Sequence, residues 1–385
     1  MGITARGVGL LVAAVVLLGA GFRFAYPELT LLGAAAGAAV GYAALTAAWR
    51  PRLVVARRAD PDRVARGEPA SMTLTVRNAG RLRSANLLAE DRCGTRAVPV
   101  PLLRLRPGRD TEVRYDVPTD RRGVVAVGPL RVTRRDPLGL VALARPYGET
   151  APVWVHPRIH PLSAVPTGAG RSLDGRVDGV PHGSITFDSL REYVVGDELR
   201  RVHWRTSARV GELMVRENVD TSLPSLVVLL DNRAAAHPQR TGGVAESFES
   251  ACEAAASVVI AAHRADLPVL LLLVDGERAD GGDAAPLGPL DRLAAVDLSN
   301  EADALRAVTT RLRQERLGDT LVFLTGPGGR DGLGHVGALR GAYPSVVVGV
   351  FGAAEPTPAG TAGLVVVDAA DGAQFAAEWD GVRRW

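Results

Sequence analysis

The chain has 385 residues, of which 45 are basic and 42 acidic, giving a formal charge of +3. This near balance argues against nucleic-acid binding over the whole surface, and the length allows two domains of ordinary size beside a membrane segment. Every basic residue is arginine, which excludes chemistry that needs a lysine, including a Schiff base, a Ser-Lys dyad and a P-loop ATPase.

Two apolar runs near the start, residues 8–24 and 29–48, predict a transmembrane hairpin within residues 1–50. A signal peptide fits less well, because the second run follows the first at once. Arginines flank the hairpin at both ends, at Arg6, Arg50, Arg52, Arg57 and Arg58. The positive-inside rule then predicts a multi-pass plasma-membrane protein with cytoplasmic soluble domains, and the unpaired Cys93 and Cys252 agree with a reducing compartment.

Residues 53–162 alternate between apolar and polar side chains, as at Met72, Leu74 and Val76, with turn residues between the runs. This pattern predicts a small antiparallel β-sandwich, immunoglobulin-like in size and strand spacing. His156 and His160 are each followed by a proline, which favours an extended strand exit with the two residues about 13 Å apart. We therefore do not predict a metal site there.

Residues 163–182 are rich in Gly, Asp and Pro without periodicity and predict a flexible linker. Residues 183–222, the signature segment, concentrate charged, aromatic and histidine side chains. Asp197 is a good N-cap for a helix over residues 198–210. That helix would place Leu199, Val202, Thr206 and Val210 on one face, with Arg201, Arg205 and Arg209 in a second stripe.

Two interpretations of the signature segment remain open. In the first, arginines and carboxylates form a structural clamp between two domains, with Trp204 and Tyr193 as wedges. In the second, His203, Asp188 and Asp197 form a site with the arginines that grips an anionic ligand or a partner's acidic residues. We favour the clamp, because structural ion-pair networks gather charges as often as active sites do.

The order of residues in this segment resembles the signature of the domain of unknown function 58 family. The matching positions are Arg191, Tyr193, Gly196, Asp197, Arg200, Arg201, Trp204, Ser207, Ala208, Arg209, Gly211, Glu212 and Leu213. The resemblance implies a membrane-anchored bacterial protein with a von Willebrand A-like domain, working beside a MoxR-type AAA+ ATPase. It implies no particular reaction. We take these positions, with Arg205, as candidate interaction or structural residues.

Residues 223–385 alternate between apolar strands and amphipathic helices and predict a doubly wound α/β domain. Strands are expected at 226–230, 269–274, 321–324, 346–351 and 364–367, and helices at 245–265, 301–316, 333–342 and 374–382. The Gly- and Pro-rich stretches 275–289 and 352–363 predict exposed loops.

The first of these strands ends at Asp231. A von Willebrand A domain that binds a metal follows this aspartate with serines two and four residues on, but here Arg233 and Ala235 stand there, and Gly326 follows Thr325 where another aspartate is common. We expect no metal or other cofactor, and an internal pair between Asp231 and Arg233, or a cap.

Other candidate chemistry is sparse. His182, His237, His263 and His335 are isolated and are interpreted as surface or capping residues. The glycines of residues 326–329 lack the Gly-Lys-Ser of a phosphate loop, so a tight strand exit is expected.

The leading hypothesis is a membrane-anchored, non-enzymatic adaptor that works with a MoxR-type AAA+ ATPase in assembly or maturation of envelope or protein complexes, without nucleic acid. Two alternatives stay open. One is an envelope-related hydrolase or transferase that uses Asp188, Asp197 and His203. The other is a divalent-metal-dependent, adhesion-type binding domain centred on Asp231.

Overall fold

The computed structural model describes residues 2–48, 52–80, 87–100, 108–166, 186–193, 202–220, 225–276, 288–301, 303–315, 317–358 and 364–382, with the backbone alone at 135, 186–191 and 216–220. The chain divides after Pro157 into two compact units. Each unit is described by itself.

Two helices, α1 (Ala5–Phe24) and α2 (Pro27–Ala48), form an antiparallel hairpin at the start of the first unit. The helices approach closely, because a Cβ on Gly21 would clash with the backbone of Thr30 and one on Gly33 with Leu18. Both helices are long and apolar enough to cross a membrane, and only 17% of the most apolar stretch of each is buried, unlike the core helix of a soluble domain. The two predicted apolar helices are confirmed.

The rest of the first unit is a β-sandwich. Its strands are β1 (Gly2–Ile3), β2 (Leu53–Asp60), β3 (Arg63–Ala65), β4 (Ala70–Asn78), β5 (Leu87–Cys93), β6 (Arg96–Val100), β7 (Asp110–Val117), β8 (Gly123–Val127), β9 (Leu130–Arg135), β10 (Val141–Tyr147) and β11 (Ala151–His156). One sheet has the order β2-β4-β7, and the other the order β1-β10-β9-β5-β8-β11-β3 with β6 paired to β5. Alternate side chains of the two sheets share a core, as where Leu74 and Val76 meet Leu87 and Leu130.

A buried ion pair links the two sheets of the sandwich. Arg57 of β2 donates through Nε and Nη2 to Asp91 of β5 at 3.1 and 2.8 Å, and Tyr115 of β7 donates to the same carboxylate at 2.6 Å. Burial, and then the hydrogen bond to Asp91, raise the pKa of Tyr115. Arg57 was counted among the arginines that flank the hairpin and predict its orientation. It is a buried structural residue of the sandwich.

The open end of the helical hairpin lies against one edge of the sandwich. The hydroxyl of Thr4, the N-cap of α1, donates to the carbonyl of Gly139 at 2.8 Å. Ala43 and Ala47 of α2 pack with Leu140 and Val141. Both ends of the hairpin therefore lie on the sandwich side, and the turn at Tyr26 lies at the far end.

The second unit combines a β-ribbon with an α/β layer structure. Its elements are β12 (Thr186–Glu192), α3 (Trp204–Val210), β13 (Met214–Asp220), β14 (Leu226–Leu230), α4 (Glu246–Arg264), β15 (Val269–Leu273), α5 (Pro289–Ala295), α6 (Ala304–Gln314), β16 (Thr320–Thr325), α7 (Leu333–Gly337), β17 (Ser345–Phe351), β18 (Val365–Ala369) and α8 (Gly372–Gly381). Strands β15-β14-β16-β17-β18 form a parallel sheet.

Helices cover both faces of this parallel sheet. Alternate residues of β14 point to opposite sides, so that Val228 lies in one core with α4 and α8, and Leu229 lies in the other with α6 and α7. The apolar run of β14 is therefore buried on both faces, as expected for a central parallel strand. The predicted α/β layers are present.

Two predicted stretches of this unit differ in the structure. The predicted helix 333–342 is the short helix α7 followed by a 3₁₀ helix at Ala338–Gly341. No helix was predicted directly after the expected loop 275–289, but the short helix α5 begins at Pro289. The first stretch contains glycines at 334, 337 and 341, which are poor helix formers. The second is too short to show a clear helical pattern of apolar residues.

Residues 158–166 pack against α4 and α8 of the second unit. The segment is held by bonds from His160 N to Ser257 Oγ, between His160 Nε2 and Glu253 Oε2, from Ser163 to Asp380, and from Trp379 Nε1 to the carbonyl of Ala164. Residues 158–162 were predicted to belong to the sandwich, but they lie in the second unit. Residues 163–166 were predicted to begin the linker, but they pack in this segment. The remainder of that linker, 167–182, lies outside the described residues.

Candidate functional site

The signature segment forms a β-ribbon with a short helix in its connection. Strands β12 and β13 pair antiparallel, with Arg191 opposite Val215 and Glu192 opposite Met214. Beyond β12, the amide of Tyr193 donates to the carbonyl of Leu213 at 2.8 Å, and Val202 forms a bridge with Val215. The ribbon was not predicted, because charged residues at Asp188, Arg191 and Glu192 hide its alternation.

The helix in this connection is shorter than the sequence predicted. It begins at Trp204, and His203 is its N-cap, with Nδ1 accepting from the amide of Thr206 at 3.2 Å. The predicted helix over 198–210 is wrong at Val202, which pairs with β13 instead, so the apolar face through Val202 does not form. The predicted cap Asp197 lies outside the described residues.

Ser207 and Gly211 hold α3 against β13. The buried hydroxyl of Ser207 donates to the carbonyl of His203 at 3.1 Å and accepts from the amide of Met214 at 2.8 Å. Gly211 ends the helix with φ +89°, a left-handed conformation that favours glycine. Both signature residues therefore have structural roles.

Most of the surface of α3 is exposed and mixes apolar and basic groups. Trp204 is 64% exposed, and Val210 and Leu213 are also largely exposed. We define the α3 patch as these three with Arg205, Ala208 and Arg209, which the structure also leaves exposed. Glu212 follows on the same exposed turn.

The clamp interpretation of the signature segment stays a prediction, because many of its charged residues lie outside the described part of the chain. Trp204, which the clamp interpretation takes as a wedge, is exposed. Arg205 and Arg209 make no ion pair with any residue that the structure describes. Tyr193 is half-buried beside the ribbon. Gly196, Asp197, Arg200 and Arg201, and the side chains of Arg191 and Asp188, lie outside the described residues, so their predicted roles stay predictions.

The carboxyl end of β14 carries a second group of polar residues. Asp231 is fully buried. Its Oδ1 accepts from Arg233 Nε at 2.8 Å, and its Oδ2 accepts from Arg233 Nη2 at 2.7 Å and from Thr325 Oγ1 at 2.7 Å. The predicted internal pair between Asp231 and Arg233 is confirmed.

These residues do not fit a divalent cation. The guanidinium of Arg233 covers both oxygens of Asp231, and Ala235 offers no oxygen ligand. Mg²⁺ requires several oxygen ligands in near-octahedral geometry, and a fixed positive charge beside the carboxylate opposes its approach.

An amide and a carboxylate connect the ends of β14 and β15. Asn232 Nδ2 donates to Asp275 Oδ2 at 2.6 Å, and the amide of Asp275 donates to Asn232 Oδ1 at 3.2 Å. Because Asn232 both donates to and accepts from Asp275, this pair stabilises the strand ends.

His237 is buried beneath the same strand end. Its Nε2 donates to the carbonyl of Asp231 at 2.8 Å, so Nδ1 accepts from the hydroxyl of Ser247 at 2.8 Å. Burial lowers the pKa of His237. His237 was interpreted as a surface or capping residue; it is buried and not at the surface, and it is the C-cap residue of the 3₁₀ helix Ala234–Ala236.

The glycines of residues 326–329 allow close contact with the 3₁₀ helix Ala234–Ala236. A Cβ on Gly328 would clash with the carbonyl of Ala235, and one on Gly326 with the carbonyl of Ala236 and the ring of His237. The predicted tight strand exit is confirmed, and the glycines are explained by packing.

The protein thus combines an apolar helical hairpin, a β-sandwich, and an α/β unit that displays a short exposed helix. The family described as Protein of unknown function DUF58 matches residues 189–280, from β12 to beyond the end of β15. This match covers the positions on which the resemblance rested, Arg191 to Leu213, and supports the resemblance to that family. No curated protein matches the chain.

Several solved structures resemble the chain over about a quarter of its length. The CARDB domain of a Pyrococcus furiosus protein, in complex with di-metal ions, is 18% identical, with 27% of this chain and 93% of that chain covered and a TM-score of 0.21. A β-glucosidase from Listeria innocua is 12% identical, with 27% and 16% covered and a TM-score of 0.17. A Niemann-Pick type C2 protein from the Japanese carpenter ant is 11% identical, with 25% and 87% covered and a TM-score of 0.15. These likenesses carry no conclusion about fold or function.

Proposed function

We propose that this protein is a membrane-anchored, non-enzymatic adaptor that binds a partner protein through the α3 patch. The observation that carries the proposal is the exposed indole of Trp204 beside the exposed arginines Arg205 and Arg209. Tryptophan and arginine are the residues most enriched among the dominant contacts of protein interfaces. An acidic segment with apolar side chains would complement this patch in both charge and shape.

The proposed partner is a MoxR-type AAA+ ATPase, and the proposed process is the assembly or maturation of envelope or protein complexes. Support for this partner comes from the family resemblance. A von Willebrand A-like fold for the second unit is part of the same proposal. It is supported by the parallel sheet with helices on both faces and by Asp231 at the end of β14.

We also propose that the α1–α2 hairpin crosses the plasma membrane and leaves the remaining chain in the cytoplasm. Arg6, Arg52 and Arg58 flank the hairpin, and both of its ends lie against the sandwich. One side of the bilayer would therefore hold both hairpin ends and the sandwich.

The two alternative functions have less structural support. A hydrolase that uses His203 as a base would need an unprotonated imidazole nitrogen directed at the substrate. Here Nδ1 accepts from the amide of Thr206 at 3.2 Å, which places the proton of the neutral ring on Nε2. A metal-dependent binding domain would need the oxygens of Asp231, which Arg233 covers.

Co-purification from solubilised membranes tests the proposal. Full-length chain should retain the AAA+ ATPase, and Trp204→Ala with Arg205→Ala should release it, since both side chains are exposed and the fold should persist. Arg306→Ala changes an exposed arginine of α6 and should retain the partner. Retention by the double variant, or failure of wild type to retain any AAA+ ATPase, would contradict the proposal.

A further inference from the structure

The guanidinium of Arg233 lies where a cation bound by Asp231 would lie. Its Nε and Nη2 each face one oxygen of the carboxylate, at 2.8 and 2.7 Å. The Arg233 side chain is 12% exposed and the Asp231 side chain 0%. A planar guanidinium in this two-bond arrangement neutralises a buried carboxylate and satisfies both of its oxygens.

The local backbone holds Arg233 in this position. The amide of Ala234 donates to the carbonyl of Ser299 at 2.7 Å, and the amide of Ser299 donates to the carbonyl of Asn232 at 2.7 Å. Residues on both sides of Arg233 are therefore paired to the same segment. The amide of Arg233 itself also donates to Asp231 Oδ1, at 3.2 Å. The pair is thus a built part of the strand end.

Neighbouring oxygens would remain if the guanidinium were removed. Thr325 Oγ1 contacts Asp231 Oδ2 at 2.7 Å. A serine at position 233 would add a hydroxyl group beside Asp231, and a serine at position 235 would add a second hydroxyl two residues further on, which are hard oxygen donors of the kind that Mg²⁺ and Mn²⁺ prefer. Removal of the arginine would also leave Asp231 as a buried charge without a counter-ion, which favours uptake of a cation.

We infer that Arg233 is a resident cation that takes the place of a divalent metal at Asp231, and that it closes a latent metal site. The carboxyl edge of this sheet therefore works without a supply of metal. Its charge balance is fixed by the chain itself. The inference goes beyond the proposed docking through α3, and its test needs no partner, so the two can fail independently.

Titration of the detergent-solubilised full chain with MnCl₂ tests this inference. Wild type should show neither binding heat nor a shift in Tm at millimolar Mn²⁺. Arg233→Ser combined with Ala235→Ser should gain binding heat and a Mn²⁺-dependent rise in Tm, and adding Asp231→Asn should abolish both. Wild-type binding that Asp231→Asn removes would overturn the inference, as would a folded serine variant that ignores Mn²⁺.

A second pair of variants covers the case in which the serine variant does not fold. Arg233→Lys and Arg233→Met have side chains of similar length, but only lysine supplies a positive charge. If Asp231 needs a resident cation, the lysine variant should have the higher Tm. Equal Tm values for the two variants would overturn the inference.

Discussion

Asp91 holds polar side chains from both sheets of the sandwich together. Its carboxylate accepts from both Arg57 and Tyr115, and its side chain is fully buried. Removing one member of such a network leaves the others buried and unsatisfied, which costs about 3–5 kcal/mol. We predict that Asp91→Ala lowers the free energy of unfolding by about that amount, measured by urea denaturation of the solubilised chain.

Asp62→Ala is the matched control for this measurement. The ion pair between Asp62 and Arg63 is exposed, at 65% and 50% of the side chains. Exposed pairs contribute between about 0 and 1 kcal/mol. Similar losses in the two variants would show that the network around Asp91 does not stabilise the sandwich.

His237 should make stability depend on pH. Its folded pKa is lowered by burial from the ordinary 6.5, so below that pH the unfolded chain takes up a proton that the folded chain resists. Stability should therefore be complete above about pH 6.5 and fall as the pH drops further. We predict that Tm falls less between pH 7.5 and 5.5 in His237→Gln than in wild type.

His263→Gln is the control for the pH series, because His263 is exposed at the end of α4. This variant should keep the pH dependence of wild type. An unchanged pH dependence in His237→Gln would contradict the role assigned to the buried imidazole.

The environments of some single residues could be predicted from the sequence, and those of others could not. The pair between Asp231 and Arg233 was predictable, because the two are close in sequence and opposite in charge. The burial of His237 was not, since it depends on Ser247, ten residues on, and on the carbonyl of Asp231.

Gly211 ends helix α3, and its backbone conformation should stabilise the local structure of residues 204–215. A Cβ there would meet no atom within 4 Å, so the strain of a substitution comes only from φ +89°. We predict that Gly211→Ala destabilises the local structure by about 1–2 kcal/mol. Hydrogen exchange of peptides over residues 204–215 should become faster.

Gly334→Ala is the control for this element. Gly334 lies in α7 with open space around its Cβ position. Alanine is the better helix former, so stability should be unchanged or higher by up to about 1 kcal/mol. Equal exchange of residues 204–215 in Gly211→Ala and wild type would contradict the role of the left-handed cap.

Elements with one strong pattern were predicted well, and those held by distant partners were not. Strand β14 was predicted to the residue, because its continuous apolar run is buried on both faces. The ribbon of β12 and β13 was missed, because its strands carry charges at Asp188, Arg216 and Glu217. The helix start was misplaced, because histidine is an uncommon N-cap and the pairing of Val202 with Val215 is not visible in sequence.

The membrane topology of the whole chain can be tested by cysteine labelling. Tyr26→Cys places a thiol at the turn between α1 and α2, and Asp62→Cys places one on the sandwich. A membrane-impermeant maleimide applied to intact cells should label the first and reach the second only after permeabilisation. Cys93 and Cys252 are buried and should remain unlabelled. Labelling of Asp62→Cys in intact cells would reverse the proposed orientation.

The order and periodicity of apolar residues were enough to predict the hairpin, the sheet-rich first unit and the α/β layers of the second. They were not enough to place residues 158–166. This segment carries no period, and its position depends on contacts of His160 and Ser163 with helices about a hundred or two hundred residues further on.

The affinity of the full-length chain for the purified partner ATPase tests the central claim most directly. Loss of one tryptophan or arginine from the centre of an interface costs about 2 kcal/mol or more, which is about 30-fold in Kd. Trp204→Ala with Arg205→Ala should therefore raise Kd by more than this factor. Arg306→Ala should leave Kd unchanged. An unchanged Kd in the folded double variant would contradict docking through the α3 patch.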